Sequence, residues 1–296
     1  MLPIVDTHQH LWDLDRISMA WTAGSGTLNR SYVTADYLEA TRDLNVVKAV
    51  YMEVDALPAL KAAEADYVLD LCGRDDNPTC GAVLSGSPAR EGFRDYIDRF
   101  RGNSSFKGVR QVLHAPEHPP GICLEPAFVE DVRYLGESGL LFDLCLRPAE
   151  LSDAGALVDQ CPGTRFILDH CGNADPNIVA GRDPEPGDGT YLHSRGQWMS
   201  DVEELGKREN LTCKISGIVA RAREGWTAAD LAPSVDHCLD CFGPDRVVFG
   251  GDWPVCTLGA SYREWVAALV EIIADRSEEE RRKLLHDNAV RIYGLN

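Results

Sequence analysis

Short apolar runs alternate with amphipathic stretches along the whole chain. The runs are rich in β-branched residues and have the length of buried strands, and the stretches between them have helical periodicity. Helix starts are marked by Thr34, by Pro58 and by a capping box at Ser277. The predicted strands are Ile4–His8, Val47–Val54, Cys80–Gly86, Gly108–His114, Leu140–Leu146, Arg165–Cys171, Thr212–Gly217 and Val247–Trp253.

This alternation predicts an α/β fold in which all strands are parallel. Strand, helix and strand in succession form a right-handed crossover, and eight such units close into a barrel without free edges. We therefore expect a single (β/α)8 TIM barrel over residues 1–296. A doubly wound open sheet is the alternative, but it normally has a glycine-rich phosphate turn after the first strand, where residues 6–10 read DTHQH.

Two long connections interrupt the pattern. Leu11–Val33 follows the first predicted strand, and Gly172–Gly196 follows the sixth. Loops of this length usually have a function or lack order. Because both follow strands, a barrel places them at its C-terminal rim, where active sites lie. For the Pro/Gly/Asp-rich segment Asp183–Gly189, a solvated surface excursion is the alternative.

Composition and charge narrow the function classes. The chain has 44% hydrophobic and 26% charged residues, which is typical of a folded globular protein. Its 29 Lys and Arg against 47 Asp and Glu give a net charge of −18, and such a field repels nucleic acids and anionic lipid surfaces. We therefore expect a small-molecule partner, with no nucleic acid and no membrane.

The segments that direct export are missing from the pattern. The N-terminus lacks a basic region followed by an apolar one, and no run approaches the roughly 20 apolar residues of a membrane span. The 10 cysteines are scattered rather than arranged as the disulfide framework of a small secreted domain. We expect reduced thiols and a cytoplasmic protein, and the sequence leaves open whether it is a homo-oligomer.

Two histidines end the first predicted strand. His8 and His10 are two residues apart, so an extended chain points both side chains to the same side. Two imidazoles at a strand end can chelate a divalent metal or share a catalytic pocket. A single histidine is more often a core or surface residue, but the position of this pair, directly before a long rim loop, favours a function.

Polar residues also lie near the ends of the sixth and eighth predicted strands, and Arg110 lies in the fourth. His170 and Asp252 lie where buried strands meet their loops, which is costly unless the groups are paired or used. Asp169 is one residue out of phase with His170, so we expect it to cap a helix or to pair outside the barrel. We expect the planar guanidinium of Arg110 to clamp a carboxylate or a sugar hydroxyl, with an outward salt bridge as the alternative.

Segments spread over nearly the whole chain resemble the amidohydrolase-2 group of the amidohydrolase superfamily. They are DTHQHLW (6–12), KGVR (107–110), LDH (168–170), CKISG (213–217), FGPDR (242–246), GDWPV (251–255) and NAVRIY (288–293). Within that group, the nearest resemblance is to hydrolases of sugar lactones and dicarboxylate lactones, such as the L-fuconolactonases, the L-rhamnonolactonases and the 2-pyrone-4,6-dicarboxylate lactonases.

The resemblance implies a distorted (β/α)8 barrel whose active site is built from four residues at strand ends. Those residues are His8 and His10 from strand one, His170 from strand six and Asp252 from strand eight. The same four residues stand out from strand position alone.

The resemblance also limits the metal content. Superfamily members with two metals need a carboxylated lysine or a glutamate at strand four, where this chain has Arg110, and many have a histidine at strand five, where it has Asp143. At most one divalent metal of zinc type is expected, and the branch also includes hydrolases that work without metal. The candidate ligands are His8, His10, Glu53, His170 and Asp252.

The implied reaction is hydrolysis of a lactone, most closely a sugar aldonolactone of carbohydrate catabolism. Asp252 would be the general base on the attacking water, and the histidines, His170 among them, or a metal would polarise the carbonyl. Expected substrate-binding residues are Arg110, Trp12, His114, Lys214 and Trp253. For Trp12, Trp253 and Lys214, packing inside the barrel is the alternative.

Other activities stay open at this point. A metal-dependent non-oxidative decarboxylase of the same superfamily would need a tightly held metal. A dicarboxylate-lactone hydrolase would need several arginines at the site, which requires Arg147 and Arg221 to join Arg110. Outside enzymes, the chain could be a catalytically inactive barrel used for binding, although all four strand-end residues are present.

Overall fold

The computed structural model describes residues 2–184, 187 and 189–295. Eight parallel strands form one sheet in the order β1 to β8, each paired with the next along the chain, so the predicted (β/α)8 barrel is confirmed. The strands are β1 (Ile4–Gln9), β2 (Val46–Met52), β3 (Thr79–Ser85), β4 (Phe106–Val112), β5 (Leu141–Cys145), β6 (Arg165–Leu168), β7 (Leu211–Ile215) and β8 (Val247–Phe249).

Helices connect the strands. The predicted capping box is present, since Oγ of Ser277 accepts from the backbone N–H of Glu280, and Pro58 opens a short 3-10 turn that leads into α2. The helices are α1 (Thr34–Ala40), α2 (Lys61–Cys72), α3 (Phe93–Phe100), α4 (Pro126–Glu137), α5 (Leu151–Gln160), α6 (His170–Asn173), α7 (Pro176–Val179), α8 (Arg195–Gly206), α9 (Ala228–Phe242), α10 (Tyr262–Ile272), α11 (Glu278–Arg282) and α12 (Asn288–Tyr293).

The barrel closes between β8 and β1. The backbone N–H of Asp252 donates to the carbonyl of His8 at 2.8 Å, and the N–H of His10 donates to the carbonyl of Trp253 at 2.8 Å. Three of the four predicted strand-end residues therefore lie on one seam, which we call the β1–β8 seam.

A buried carboxylate holds this seam together. Asp6 accepts hydrogen bonds from the backbone N–H groups of His8 at 2.9 Å and Gly251 at 2.7 Å. It also accepts from the phenol groups of Tyr37 and Tyr262, which come from α1 and α10. One side chain thus joins two strands and two helices directly beneath the predicted site.

β6 and β8 end before their predicted ends. β6 stops at Leu168 and β8 at Phe249, because the backbone turns into the left-handed region at His170 (φ 55°) and Asp252 (φ 53°). This region costs about 1–2 kcal/mol for a residue with a Cβ atom, and such strain is concentrated at functional sites.

The interior of the barrel changes from apolar to charged along its axis. The apolar part is covered by α12 and contains Val5, Val50, Met52, Val83, Ile167 and Val248. Nearer the C-terminal ends of the strands, the inward positions hold charged side chains such as Asp143 and Lys214, both fully buried.

Both long connections lie beside the same cavity at the C-terminal rim, as predicted. The first is held by an antiparallel bridge between Trp12 and Tyr32, and the second contains α7 before it enters α8. The prediction of a solvated excursion at 183–189 falls partly on residues 185, 186 and 188, which lie outside the described residues. In the part of the chain that the structure describes, no helix combines the length and apolarity needed to cross a membrane.

Candidate active site

A cavity of about 450 Å³ opens at the C-terminal end of the barrel, and we call it the catalytic cavity. Side chains from both long connections form part of its wall. The first connection contributes Trp21, Ser25 and Leu28, and the second contributes Thr190 and Tyr191. Strand ends contribute His10, Arg110, Cys145, His170 and Asp252.

The carboxylate of Asp252 faces two imidazoles across the β1–β8 seam. Its Oδ1 lies 3.4 Å from Nε2 of His10 and 3.6 Å from Nε2 of His8. Nδ1 of His10 lies 2.9 Å from the carbonyl of Met52, so it carries the proton and donates. Nε2 of His10 is then an acceptor that faces a carboxylate, an arrangement complementary to a proton donor or a cation between them.

His170 enters the cavity through an unusual turn. It is the first residue of α6, in which the next three residues also have positive φ. Its Nδ1 lies 2.8 Å from Oγ of Ser216, which leaves Nε2 as the free ring nitrogen. A Cβ atom on Gly217 would lie 2.3 Å from Nδ1 of His170, so only glycine permits this close approach.

Burial sets the charge states of these groups. It lowers the pKa of His170 to about 4 and holds the pKa of His8 well below its usual value, so both rings are neutral at pH 7. Burial alone would raise the pKa of Asp252, but His170, His10 and His8 outweigh it, and the pKa of Asp252 lies below its usual value. The site therefore holds an ionised carboxylate beside two neutral imidazoles.

Three of these side chains fit a metal ion. Single ligand atoms of His8, His170 and Asp252 lie within 4.8 Å of one another. Two neutral imidazoles and a carboxylate form the three-ligand set of many catalytic divalent-metal sites, with a further position left for water or substrate. The site can therefore hold one divalent cation, and His10 lies at its edge.

Glu53, the remaining predicted ligand, is paired with Arg110 instead. Its Oε1 accepts from Nε of Arg110 at 2.7 Å and its Oε2 accepts from the backbone N–H of Asp55 at 2.7 Å. Nη2 of Arg110 donates to the carbonyl of Glu53 at 2.7 Å, and Nη1 lies 3.2 Å from Nε2 of His8. Arg110 lines the cavity, but most of its donors are already used.

Asp169 takes the N-cap position of α6, as one of its two expected roles, although its side chain makes no capping hydrogen bond. The alternative expectation, that it pairs outside the barrel, is wrong. Asp169 is fully buried inside the barrel, and its Oδ2 lies 3.4 Å from Nη1 of Arg110. Asp169 continues the inward alternation of β6 after Ile167. His170 reaches the same side only because its backbone is left-handed, and residue parity along a strand does not reveal such a turn.

Lys214 lies inside the barrel and not in the cavity lining. Its Nζ is 2.7 Å from Oδ2 of Asp143 and 2.8 Å from Oδ1 of Asp169. Burial opposes the charge on Lys214, but these two carboxylates outweigh it and raise its pKa above the usual value. The structure therefore gives Lys214 an internal ion-pair role. We call Lys214, Asp143 and Asp169 the buried charge cluster.

The two predicted tryptophans lie behind the cavity lining. Trp12 is fully buried, and its Nε1 donates to the carbonyl of Arg30 at 2.6 Å. Trp253 is almost fully buried and meets the rings of Tyr32 and Tyr37 edge-on. These contacts are aromatic packing at the base of the first long connection.

The far wall of the cavity contains His114 and Arg221, which the sequence offered as cavity residues, and Asn173 and Tyr191, which it did not. Burial lowers the pKa of His114 to about 3, so its ring is neutral. The guanidinium of Arg221 lies 3.8 Å from the ring centroid of Tyr191, and its Nη2 donates to Oδ1 of Asn173 at 2.7 Å. The sequence signal for Asn173 and Tyr191 is their position in the long connection after β6.

Arg147 does not join the cavity. Its Nη1 lies 2.8 Å from Glu150, and its Nη2 donates to the carbonyls of Ala115 and His118 at 2.9 Å. Of the three arginines considered in the sequence, Arg110 is engaged by Glu53 and Arg147 by Glu150, which leaves Arg221 as the one with donors towards the cavity wall.

A parallel barrel with two histidines at the end of β1, a third after β6 and an aspartate after β8 is the arrangement of a hydrolase that can hold a metal. The chain belongs to the amidohydrolase family, whose model, described as "Amidohydrolase", matches residues 5–295. The predicted family and the assignment as a hydrolase are thereby confirmed.

Similar proteins with names and structures support this placement. An L-fucono-1,5-lactonase of Burkholderia multivorans is 30% identical over 300 residues, covering 98% of this chain and 96% of that protein. An L-rhamnono-gamma-lactonase of Scheffersomyces stipitis is 24% identical, covering 99% of this chain and 98% of that protein. A crystal structure of a Burkholderia multivorans amidohydrolase with bound zinc matches with a TM-score of 0.82 and 26% identity, covering 99% of this chain and 100% of that one.

Proposed function

We propose that this protein hydrolyses a lactone to the open hydroxy acid, and that the lactone is an aldonolactone of the L-fucono or L-rhamnono type. The observation that carries the proposal is the ionised carboxylate of Asp252, 3.4 Å from Nε2 of His10, at the floor of the catalytic cavity. The lactonases among the similar proteins support it.

Asp252 is the general base in this proposal. Its carboxylate takes a proton from water while the water oxygen attacks the lactone carbonyl carbon. The ring C–O bond then breaks, and Asp252 returns the proton to the departing alkoxide, so that lactone plus water gives one hydroxy acid. Proton transfer by a positioned side chain contributes typically 10²–10⁴-fold to the rate.

Arg110 and His170 line the cavity together with Asp252, and in this proposal they stabilise the negative charge that develops on the carbonyl oxygen. Glu53 fixes the guanidinium of Arg110 through two donors, and Ser216 fixes the ring of His170. Groups held rigidly in a buried site stabilise such charge without reorganising during the reaction.

A divalent metal, zinc in this proposal, bound by His8, His170 and Asp252 would supply Lewis-acid polarisation of the carbonyl. The neutral rings of His8 and His170 and the ionised Asp252 are the protonation states that metal ligands require. Two contacts at this site are made by side chains of the protein alone. Asp252 pairs with His10, and Ser216 positions His170.

The far wall favours a neutral sugar lactone over a dicarboxylate. Arg221 is the arginine with donors directed to this wall, whereas a substrate with two carboxylates would need several. His114, Asn173 and Tyr191 can exchange hydrogen bonds with sugar hydroxyls. We expect such a small, uncharged substrate in cytoplasmic carbohydrate breakdown, and the net charge of −18 fits that partner.

A pH-indicator screen over aldonolactones and 2-pyrone-4,6-dicarboxylate tests the proposal, since ring opening releases acid. We expect acid release above the spontaneous rate from at least one sugar lactone, with Asp252→Asn protein as the matched blank. Acid release from none of these lactones would refute the proposal.

A further inference from the structure

A second cavity of about 620 Å³ lies on the same rim, above the ends of β2, β3 and β4. It is bordered by the chain that enters α2 and by the start of α3. The two cavities share four wall residues, namely Trp21, Asp55, Ala115 and Pro116. The two cavities therefore lie side by side at this wall, and we call the neighbouring space the adjoining cavity.

The adjoining cavity contains two cations without an ion-pair partner. Nζ of Lys61 donates to the hydroxyl of Ser87 at 3.4 Å, and among the described residues neither Lys61 nor Arg90 has a carboxylate within the 4.0 Å of an ion pair. Elsewhere among the described residues, most of the exposed arginines and lysines have such a partner. Both cations can donate hydrogen bonds to a ligand.

Buried polar groups of the adjoining cavity also lack partners. Oγ of Ser85 and Oε1 of Gln111 are buried and have no hydrogen-bond partner among the described residues, and both side chains line this cavity. Ser85 is 2% exposed and Gln111 is 7% exposed. Such groups are costly without a partner, and together they offer a hydroxyl that donates or accepts and an amide oxygen that accepts.

The charges in the lining argue against a plain anion as the ligand. Asp55, Glu91 and Glu117 lie in the same lining as Lys61 and Arg90, so carboxylates accompany the cations. A ligand that both donates and accepts hydrogen bonds at many positions matches this mixture best. Polyols and sugars have that property, because each hydroxyl is one donor and two acceptors.

An apolar surface completes the match to a sugar ring. Trp21 is 39% exposed and belongs to both linings. Its Nε1 donates to the carbonyl of Val54 at 2.7 Å, which fixes the indole at the boundary between the cavities. An aromatic face held in this way can pack against the C–H face of a sugar while the hydroxyls bond to polar neighbours.

We propose that the adjoining cavity binds a second sugar unit, so that the preferred substrate is the lactone of a two-ring aldonic acid. This inference rests on the proposed lactone hydrolysis. In this proposal the lactone ring lies over Asp252, and the glycosidic link passes Trp21 at the boundary between the cavities. The second ring forms hydrogen bonds with Arg90, Lys61 and Gln111.

Kinetics on one-ring and two-ring lactones test the inference. The probes are L-fuconolactone and glucono-1,5-lactone against cellobiono-, maltobiono- and lactobiono-1,5-lactone. We expect at least one two-ring lactone to have the higher kcat/KM. Arg90→Ala and the cavity-filling Ala62→Trp should lower kcat/KM for that two-ring lactone at least tenfold more than for the one-ring lactones, as expected for a lost charged hydrogen bond or a blocked subsite.

Lys207→Ala, an exposed cation remote from both cavities, is the matched control and should change neither value. Equal losses on both substrate sizes, or one-ring lactones preferred by the wild type and by both variants, would overturn the inference.

Calorimetry with the two-ring acids separates this inference from the proposed function. If no lactone is opened, the proposed function fails. Binding of cellobionate, maltobionate or lactobionate that is weakened at least tenfold by Arg90→Ala, and not by Lys207→Ala, would still support the second sugar site. No binding of any two-ring acid to the wild type would contradict it.

Discussion

Two groups of buried charge at the barrel mouth are neutralised in different ways. On the β1–β8 seam, Asp252 has imidazole neighbours and borders the catalytic cavity. In the buried charge cluster, Lys214 of the neighbouring β7 neutralises Asp143 and Asp169, and none of these three side chains lines that cavity. In the sequence, both groups are polar residues near the ends of buried strands. The charge of the partner, a lysine in the cluster and neutral imidazoles on the seam, separates a structural carboxylate from a reactive one.

The largest effect that separates the two groups is expected at Lys214. Lys214→Met removes the cation, leaves the buried Asp143 without an ion-pair partner and leaves Asp169 with Arg110, which should lower the free energy of unfolding by about 3–5 kcal/mol, measured by urea denaturation. Adding Asp143→Leu should recover part of the loss. The exposed Lys207→Met should leave the urea midpoint unchanged, and an equally small effect of Lys214→Met would show that the cluster is not structural.

Metal binding is the next effect in size, and it should involve His8, His170 and Asp252 and not the buried charge cluster. Calorimetric titration of the chelator-treated protein should give one zinc per chain. His170→Ala should weaken that binding roughly a hundredfold, because one of three ligands is lost, whereas Glu53→Gln should leave the stoichiometry unchanged. Two zinc ions per chain, or unaltered affinity in His170→Ala, would contradict the proposed ligand set.

Full lactonase activity in metal-free protein would eliminate the decarboxylase alternative, which depends on a tightly held metal.

Ser216 should act through His170. Ser216→Ala frees the imidazole to rotate and should lower kcat on the best lactone about 10- to 100-fold, the range found for residues that orient metal ligands, with KM little changed. Ser216→Thr keeps the hydroxyl and should restore most of kcat. A loss that Ser216→Thr does not rescue, accompanied by a lower urea midpoint, would mean that Ser216 serves packing alone.

Arg221 should have the smallest effect, confined to substrate affinity. Arg221→Ala removes the stack on Tyr191 and the bond to Asn173, and it should raise KM about tenfold through one lost charged hydrogen bond while kcat stays within a few-fold. Steady-state kinetics on the best lactone measures both. Arg147→Ala, outside the cavity, is the control, and an equal rise in KM for that variant would remove Arg221 from substrate recognition.

Local patterns predict the barrel well, because strand and helix periodicities and the capping box at Ser277 depend on neighbouring residues. Strand position alone also selects His8, His10, His170 and Asp252, whose side chains the fold brings close together. Asp169 and the true ends of β6 and β8 could not be found this way, since the left-handed backbone at His170 and Asp252 leaves no mark in the hydrophobic pattern.

Long-range pairing explains the remaining differences. The commitment of Arg110 to Glu53 and of Lys214 to Asp143 joins residues far apart in the chain, and no local spacing reveals it. For the same reason, the contact between Arg221 and Tyr191 becomes visible only when the loops after β6 and β7 are placed beside each other.

The central claim is that Asp252 is the base that activates water. Single-turnover and steady-state kinetics of Asp252→Asn on the best lactone test it most directly, because the amide keeps the shape of the carboxylate and cannot accept the proton. The account predicts that kcat falls by about 10³-fold, with the urea midpoint and the circular dichroism spectrum unchanged. A correctly folded Asp252→Asn protein that keeps kcat within tenfold of the wild type would contradict it.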